Sequence, residues 1–373
     1  MASSNGETAG GPLVYQKLSI GGKILWHAKR QHWSMVESML HKCLQMKTDI
    51  INHLTDETTD RSVLMLACKS NQGRIVEYVL KLMNKTRINA YSKEGFTALH
   101  YASMWSNADI VHTLLRNHAD PDSKSLDRNQ LPLHLSCQRN SHTISISSIL
   151  LSKMDQNDLL CEDSDGFIPI CYAIKQGNIP LVKVLLQDKG KEQIQWTDKN
   201  TGDSLLHIAA NRRDLDMMTT LLSEGGISVN VQNSFNGSTV LHLAVSKNDM
   251  SMVKILHIRS KPSVNIPDAF GATPCHVAAK HGFTSMLTYM IDKMDADSLM
   301  RTRDGTTLMH LSAILGDKAT TEALIKREAP LHMPNKDKKA ALHLAVSCKS
   351  RFRVRVRVRV RVRVRVRFNF CHF

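Results

Sequence analysis

The sequence predicts an all-α solenoid, a stack of short helix pairs, from three observations. A six-residue motif recurs nine times, an apolar stripe at helical spacing follows it, and a tight turn precedes it. The copies read SVLMLA at 62–67, TALHYA at 97–102, LPLHLS at 131–136, IPICYA at 168–173 and SLLHIA at 204–209. The series continues with TVLHLA at 239–244, TPCHVA at 273–278, TLMHLS at 307–312 and AALHLA at 340–345. Its fourth position is Met65, His100, His134, Cys171, His207, His242, His276, His310 and His343, and successive copies lie 33 to 37 residues apart.

The stripe supplies the second helix of each unit. Ile75-Val76 with Val79-Leu80, Ile110-Val111 with Leu114-Leu115, and Leu181-Val182 with Leu185-Leu186 place apolar residues at i, i+1, i+4 and i+5. That spacing lays one face along a short helix. Glycine stands two residues ahead of the motif at Gly95, Gly166, Gly202, Gly237, Gly271 and Gly305, where a finger-like turn needs positive φ. Thr97, Ser204, Thr239, Thr273 and Thr307 are predicted N-caps, and Pro132, Pro169 and Pro274 sit at the first helical position. This motif at this period is the ankyrin-repeat signature.

Four segments follow. Residues 1–20 are predicted to be disordered, and 21–57, including KILWHAKRQHWSMVESMLHKCL, to form a capping helix pair over the first repeat. Residues 58–350 hold about nine repeats, the last incomplete, and 351–373 form an Arg-Val tail outside the fold. The tail alternates with period two, so as a strand it would have one arginine face and one valine face. A second helix needs apolar residues every three to four positions, so the tail is expected to stay extended, like translated simple-sequence DNA. Removing the chain from Lys338 onward is accordingly expected to leave repeats one to eight as stable as before.

Charge and composition narrow the function. The tail carries nine of the 49 basic residues and no acid, so the rest holds 40 basic against 34 acidic residues. That balance does not make a nucleic-acid binder. No run reaches the roughly 18 apolar residues of a membrane span. Eight cysteines without a CxxC pair, and no signal peptide, point to a reducing, cytoplasmic setting. No Gly-rich phosphate loop, GxSxG or HExxH is present, so neither an enzyme nor a cofactor is expected. Histidines one repeat apart lie about 10 Å from each other, too far to share a zinc ion. His100, His134, His207, His242, His276, His310 and His343 are therefore assigned to structure, and no metal is expected.

Binding is expected on the concave face, at the ends of the first helices. Lys69, Trp105, Arg139, Lys175, Arg212, Lys247, Lys280 and His281 fall two or three residues past the motif, with Arg213 beside them, and no acid joins the row. Of these, Trp105, Arg139, Lys175, Arg212, Arg213, Lys247, Lys280 and His281 are the candidate partner-binding residues. An acidic partner, or a merely solvated face, would account for the row.

Beyond the repeat itself, PLHMPNKD (330–337), RTRDGTTLMHLSAILG (301–316) and GDSLLHIAANRRDLDMM (202–218) are similar to the amino-terminal repeats of the NompC (TRPN) mechanotransduction channels. The likeness runs over residues 20–347 and includes none of the pore. The resemblance implies a cytoskeletal tether: the ankyrin spring of a mechanosensory cation channel that assembles as a homotetramer, is membrane-associated at full length, and links to microtubules. A free-standing soluble ankyrin adaptor in signalling is the alternative.

Overall fold

A computed structural model describes residues 15–16, 18–46, 61–83, 87–139, 143–224 and 226–347. The Arg-Val tail, the first fourteen residues and all of 47–57 lie outside the described residues. The chain divides into two compact units, up to Ser263 and from Val264 onward.

In the first unit the first helices are Val63–Lys69, Ala98–Trp105, Pro132–Cys137, Pro169–Gln176, Leu205–Asn211 and Val240–Ser246. Their partners are Gly73–Leu82, Ala108–Arg116, Thr143–Leu151, Ile179–Leu186, Leu215–Ser223 and Met250–Ser260. Within this unit, consecutive first helices pack on one another and each packs on its own second helix. Ahead of them, Ile20–Lys29 packs on Val63–Lys69, and Trp33–Gln45 on Gly73–Leu82, so this pair stacks as a repeat does. The second unit holds Pro274–His281 with Thr284–Lys293, Leu308–Leu315 with Lys318–Lys326, and Ala341–Ser347. Among the described residues there is no strand longer than two isolated bridges.

The third motif position lies at the centre of the core. Leu64, Leu99, Leu133, Ile170, Leu206, Leu241, Cys275 and Met309 are all buried. Cys68, Cys137, Cys171 and Cys275 are free thiols in this core, where they pack as small hydrophobes. Burial pushes the Cys275 thiol up to about 12.

Thr97 and His100 show what holds one repeat to the next. The Thr97 backbone N–H donates to His100 Nδ1 at 3.1 Å, and the Thr97 hydroxyl lies 2.8 Å from the same nitrogen. The histidine thus does what Glu does in an ordinary capping box, from the same third helical position. Accepting at Nδ1 fixes the proton on Nε2, which donates across to the Gln130 carbonyl at 2.9 Å. His134 repeats this with Leu131 N–H and the Phe167 carbonyl, and His207 with Ser204 and the Ser238 carbonyl. His242 and His276 accept from Thr239 and Thr273 N–H. His310 joins Thr307 to the Lys339 carbonyl, and His343 accepts from Ala340 N–H.

Finger turns join too. Leu126 N–H donates to the Gly95 carbonyl, Ser164 N–H to that of Arg128, and Ser234 N–H to that of Gly202. Two of these contacts require glycine. At Gly95 (φ +75°) and Gly202 (φ +71°) a Cβ would lie 2.7 Å from the backbone nitrogen of the next finger. Residues 302–306 and 335–339 form the corresponding fingers of the second unit, where Lys336 N–H donates to the Asp304 carbonyl.

The expected indifference to truncation needs revision. His310 Nε2 donates to Lys339, and Leu308–Leu315 packs on Ala341–Ser347. Ending the chain before Lys338 removes both. It is expected to cost about 1–3 kcal/mol through an unsatisfied buried imidazole. Hydrogen exchange should quicken first in Leu308–Leu315; unchanged protection there would show that the latch is dispensable.

Candidate protein interface at the first-helix ends

The first helices are only six to eight residues long, so at least half of their carbonyls have no partner within the helix. Basic side chains from the neighbouring repeat meet them. Arg139 Nη1 donates to the Ser106 carbonyl at 3.1 Å and approaches that of Ser103 at 3.5 Å. Arg212 donates to the Lys175 carbonyl, and Lys247 Nζ to that of Asn211 at 2.8 Å. In the opposite direction, Arg213 Nη2 donates to the Lys247 carbonyl at 3.3 Å. Arg213 itself occupies the left-handed region (φ 58°), where three other repeats of this half place Asn71, Gly177 and Asn248.

This geometry accounts for the acid-free row. Each helix end is the negative pole of its dipole, so a cation there is stabilised and a carboxylate repelled. The four bases cap helices first. Lys175 is engaged as well: its Nζ lies 3.0 Å above the Phe167 ring centroid and 5.6 Å from that of Tyr172. Burial holds the Lys175 ammonium and the Arg139 guanidinium below their ordinary pKa ranges.

Trp105 differs. It closes Ala98–Trp105 with 51% of its surface exposed, beside half-buried Met104. The structure therefore brings Arg139, Lys175, Arg212, Arg213 and Lys247 to successive helix ends in the first unit, with Trp105 among them. Lys280 and His281 end Pro274–His281 in the second unit, both exposed, and the His281 ring stacks on Phe283 at 5.5 Å.

Two polar clusters beside this row escaped the sequence reading. Tyr101 Oη donates to Glu94 at 2.7 Å while Arg61 bonds both. Arg61 holds the Glu94 carboxyl below the usual carboxylate range. Tyr172 Oη donates to Asp163 at 2.5 Å, and Gln130 Nε2 reaches both. The signal was present: TALHYA and IPICYA carry Tyr where other copies carry an aliphatic residue.

Among the described residues no three His, Cys, Asp or Glu side chains converge, and no helix is long and apolar enough to cross a membrane.

Comparison with known proteins agrees with this architecture. An alpha-latrotoxin of Latrodectus tredecimguttatus is 33% identical over 117 residues, 31% of this chain and 8% of the toxin. A putative ankyrin repeat protein of fowlpox virus is 28% identical over 164 residues, 43% of this chain and 47% of the viral protein. A tyrosine-protein kinase of Hydra vulgaris is 33% identical over 125 residues, 33% of this chain and 16% of the kinase. The chain thus spans less than half the length of each of these relatives. The family profile described as ankyrin repeats (3 copies) matches residues 24–125, 118–198, 191–268 and 241–330. With the motif, the helix pairs and the histidine latches in the same register, the chain belongs to the ankyrin-repeat family.

Proposed function

We propose that this chain is a protein-binding tether, the cytoskeletal end of a linkage of the kind the NompC (TRPN) resemblance implies, and not an enzyme. Ankyrin repeats imply protein–protein interaction. One observation carries the finer reading. The segments behind the resemblance depart from the repeat pattern at exposed positions: Asn211, Arg212 and Arg213 in one, His332, Lys336 and Asp337 in another. Their repeat-pattern residues, Leu206 and Met217, are buried. Packing constrains buried positions, while a distinctive exposed sequence is what a partner reads. On this reading the partner is a microtubule. Membrane association and a homotetramer belong to a longer channel of which these repeats form one end.

A soluble signalling adaptor is the second reading. It is favoured by relatives as different as a toxin, a viral protein and a kinase, which share only part of their length with this chain. Co-sedimentation with stabilised microtubules separates the two. The full chain and a chain ending at Ser347, which lacks the nine tail arginines, are both expected to pellet at about 0.15 M salt, an ionic strength that screens weak surface charge. If the shorter chain stays in the supernatant, the tether reading falls and the adaptor stands.

A further inference from the structure

Most of the basic row is occupied in holding neighbouring helices, which leaves the question of where a partner gains purchase. Three consecutive first-helix ends supply an answer. Ser106 Oγ donates to the Cys68 carbonyl at 2.5 Å, and Arg139 Nη1 to the Ser106 carbonyl at 3.1 Å. These bonds draw Lys69, Trp105 and Arg139 into one patch. Lys69 is exposed at the end of its helix, Trp105 is half exposed, and Arg139 still reaches solvent.

In the order of the helix ends, Trp105 stands between Lys69 and Arg139. Among the described residues neither Lys69 nor Arg139 forms an ion pair. The nearby carboxylate of Glu94 is already held by Arg61 and Tyr101. An exposed indole beside two cations that form no ion pair among the described residues has the composition of an interface hot spot, where Trp and Arg dominate.

We infer that Lys69, Trp105 and Arg139 form a docking site for an acidic peptide segment carrying a bulky apolar side chain, which packs on the Trp105 indole while carboxylates on either side meet Lys69 and Arg139. The inference rests on the reading of the first-helix ends as the partner face, and names the class of partner. Single-stranded nucleic acid also stacks on aromatic rings between cations. Two cations on one patch, with Glu94 and the exposed Asp109 close in sequence, suit a short acidic peptide better than a run of phosphates.

The probe is a ten-residue peptide of alternating Glu and Leu with a photoreactive benzophenone in place of one central Leu. Irradiated with the full chain, it is expected to form adducts at Met104 or Trp105. The yield at that site should fall at least about ten-fold in Trp105→Ala and in Lys69→Gln, the effect of losing a hot-spot residue. A Gln-for-Glu peptide should label it about as weakly. Both substitutions fall on exposed side chains, and circular dichroism melting verifies that the stack is retained. Adducts confined to other sites, the Arg-Val tail included, overturn the inference. So does labelling at Met104 or Trp105 that neither substitution changes, or that oligo(dT) displaces while the Gln peptide does not. If microtubules pellet the chain yet the probe avoids the patch, the docking site fails alone. If neither binds, the tether reading falls with it.

Discussion

Acidification from pH 7 to pH 5 is expected to remove about 4 kcal/mol of stability through His100 and His134 alone. Burial pushes both imidazoles down to about 4, against an ordinary value near 6.5. The unfolded chain therefore takes up protons from about pH 6.5 downward that the folded chain refuses until about pH 4. The unfolded state binds more protons throughout that window, so stability falls with pH across it. At pH 5 each site contributes about 2 kcal/mol of loss, from about 1.4 kcal/mol per pH unit. Burial lowers His207 and His276 in the same direction, which can only add to the effect. The carboxylates held low, such as Glu94 beside Arg61, titrate below the ordinary Glu value near 4.3, while Asp122, pushed up to about 6 mainly by burial, takes up its proton first in the folded chain and offsets part of the loss. Urea melts at half-unit steps measure it. A midpoint that stays flat between pH 7 and 5 would mean that these histidines accept a proton in place, and the latch geometry would have to be abandoned.

The same histidines show how far the sequence could be read. Their register, the helix pair in each unit and the finger glycines follow from a period of 33 to 37 residues and from local chemistry within each unit. Local chemistry also placed Thr97 as a cap. It did not reveal that His100 would complete the capping box, because that role depends on an imidazole turning back on its own helix. Less legible was the use of the basic row. Arg139, Arg212 and Lys247 spend their charge on carbonyls 33 to 37 residues away, partners that no local pattern identifies. An acid-free row read along the chain suggested a ligand, and the helix dipole explains it without one. Trp105 survives that explanation, since no helix end needs an indole.

Two leucines at the same motif position should give opposite results when cut back to alanine. Leu241 is completely buried on Val240–Ser246, a helix that packs on Leu205–Asn211 and Met250–Ser260 within the first unit. Leu241→Ala leaves a cavity in a close-packed core and is expected to cost about 2–5 kcal/mol. Leu342 in the second unit occupies the equivalent place in AALHLA, yet 72% of its surface is exposed, as is 70% of Val346 one turn on. Among the described residues, Ala341–Ser347 packs chiefly on Leu308–Leu315. Leu342→Ala is therefore expected to stay within about 0.5 kcal/mol, the usual range for a surface change. The motif specifies a residue that can be buried, but the neighbour that buries it is a separate condition, and burial is what sets the energy. Denaturant melts of the two variants decide the matter. A loss above about 2 kcal/mol at Leu342 would mean that this face is covered in solution and that the exposure of Leu342 does not set its energy.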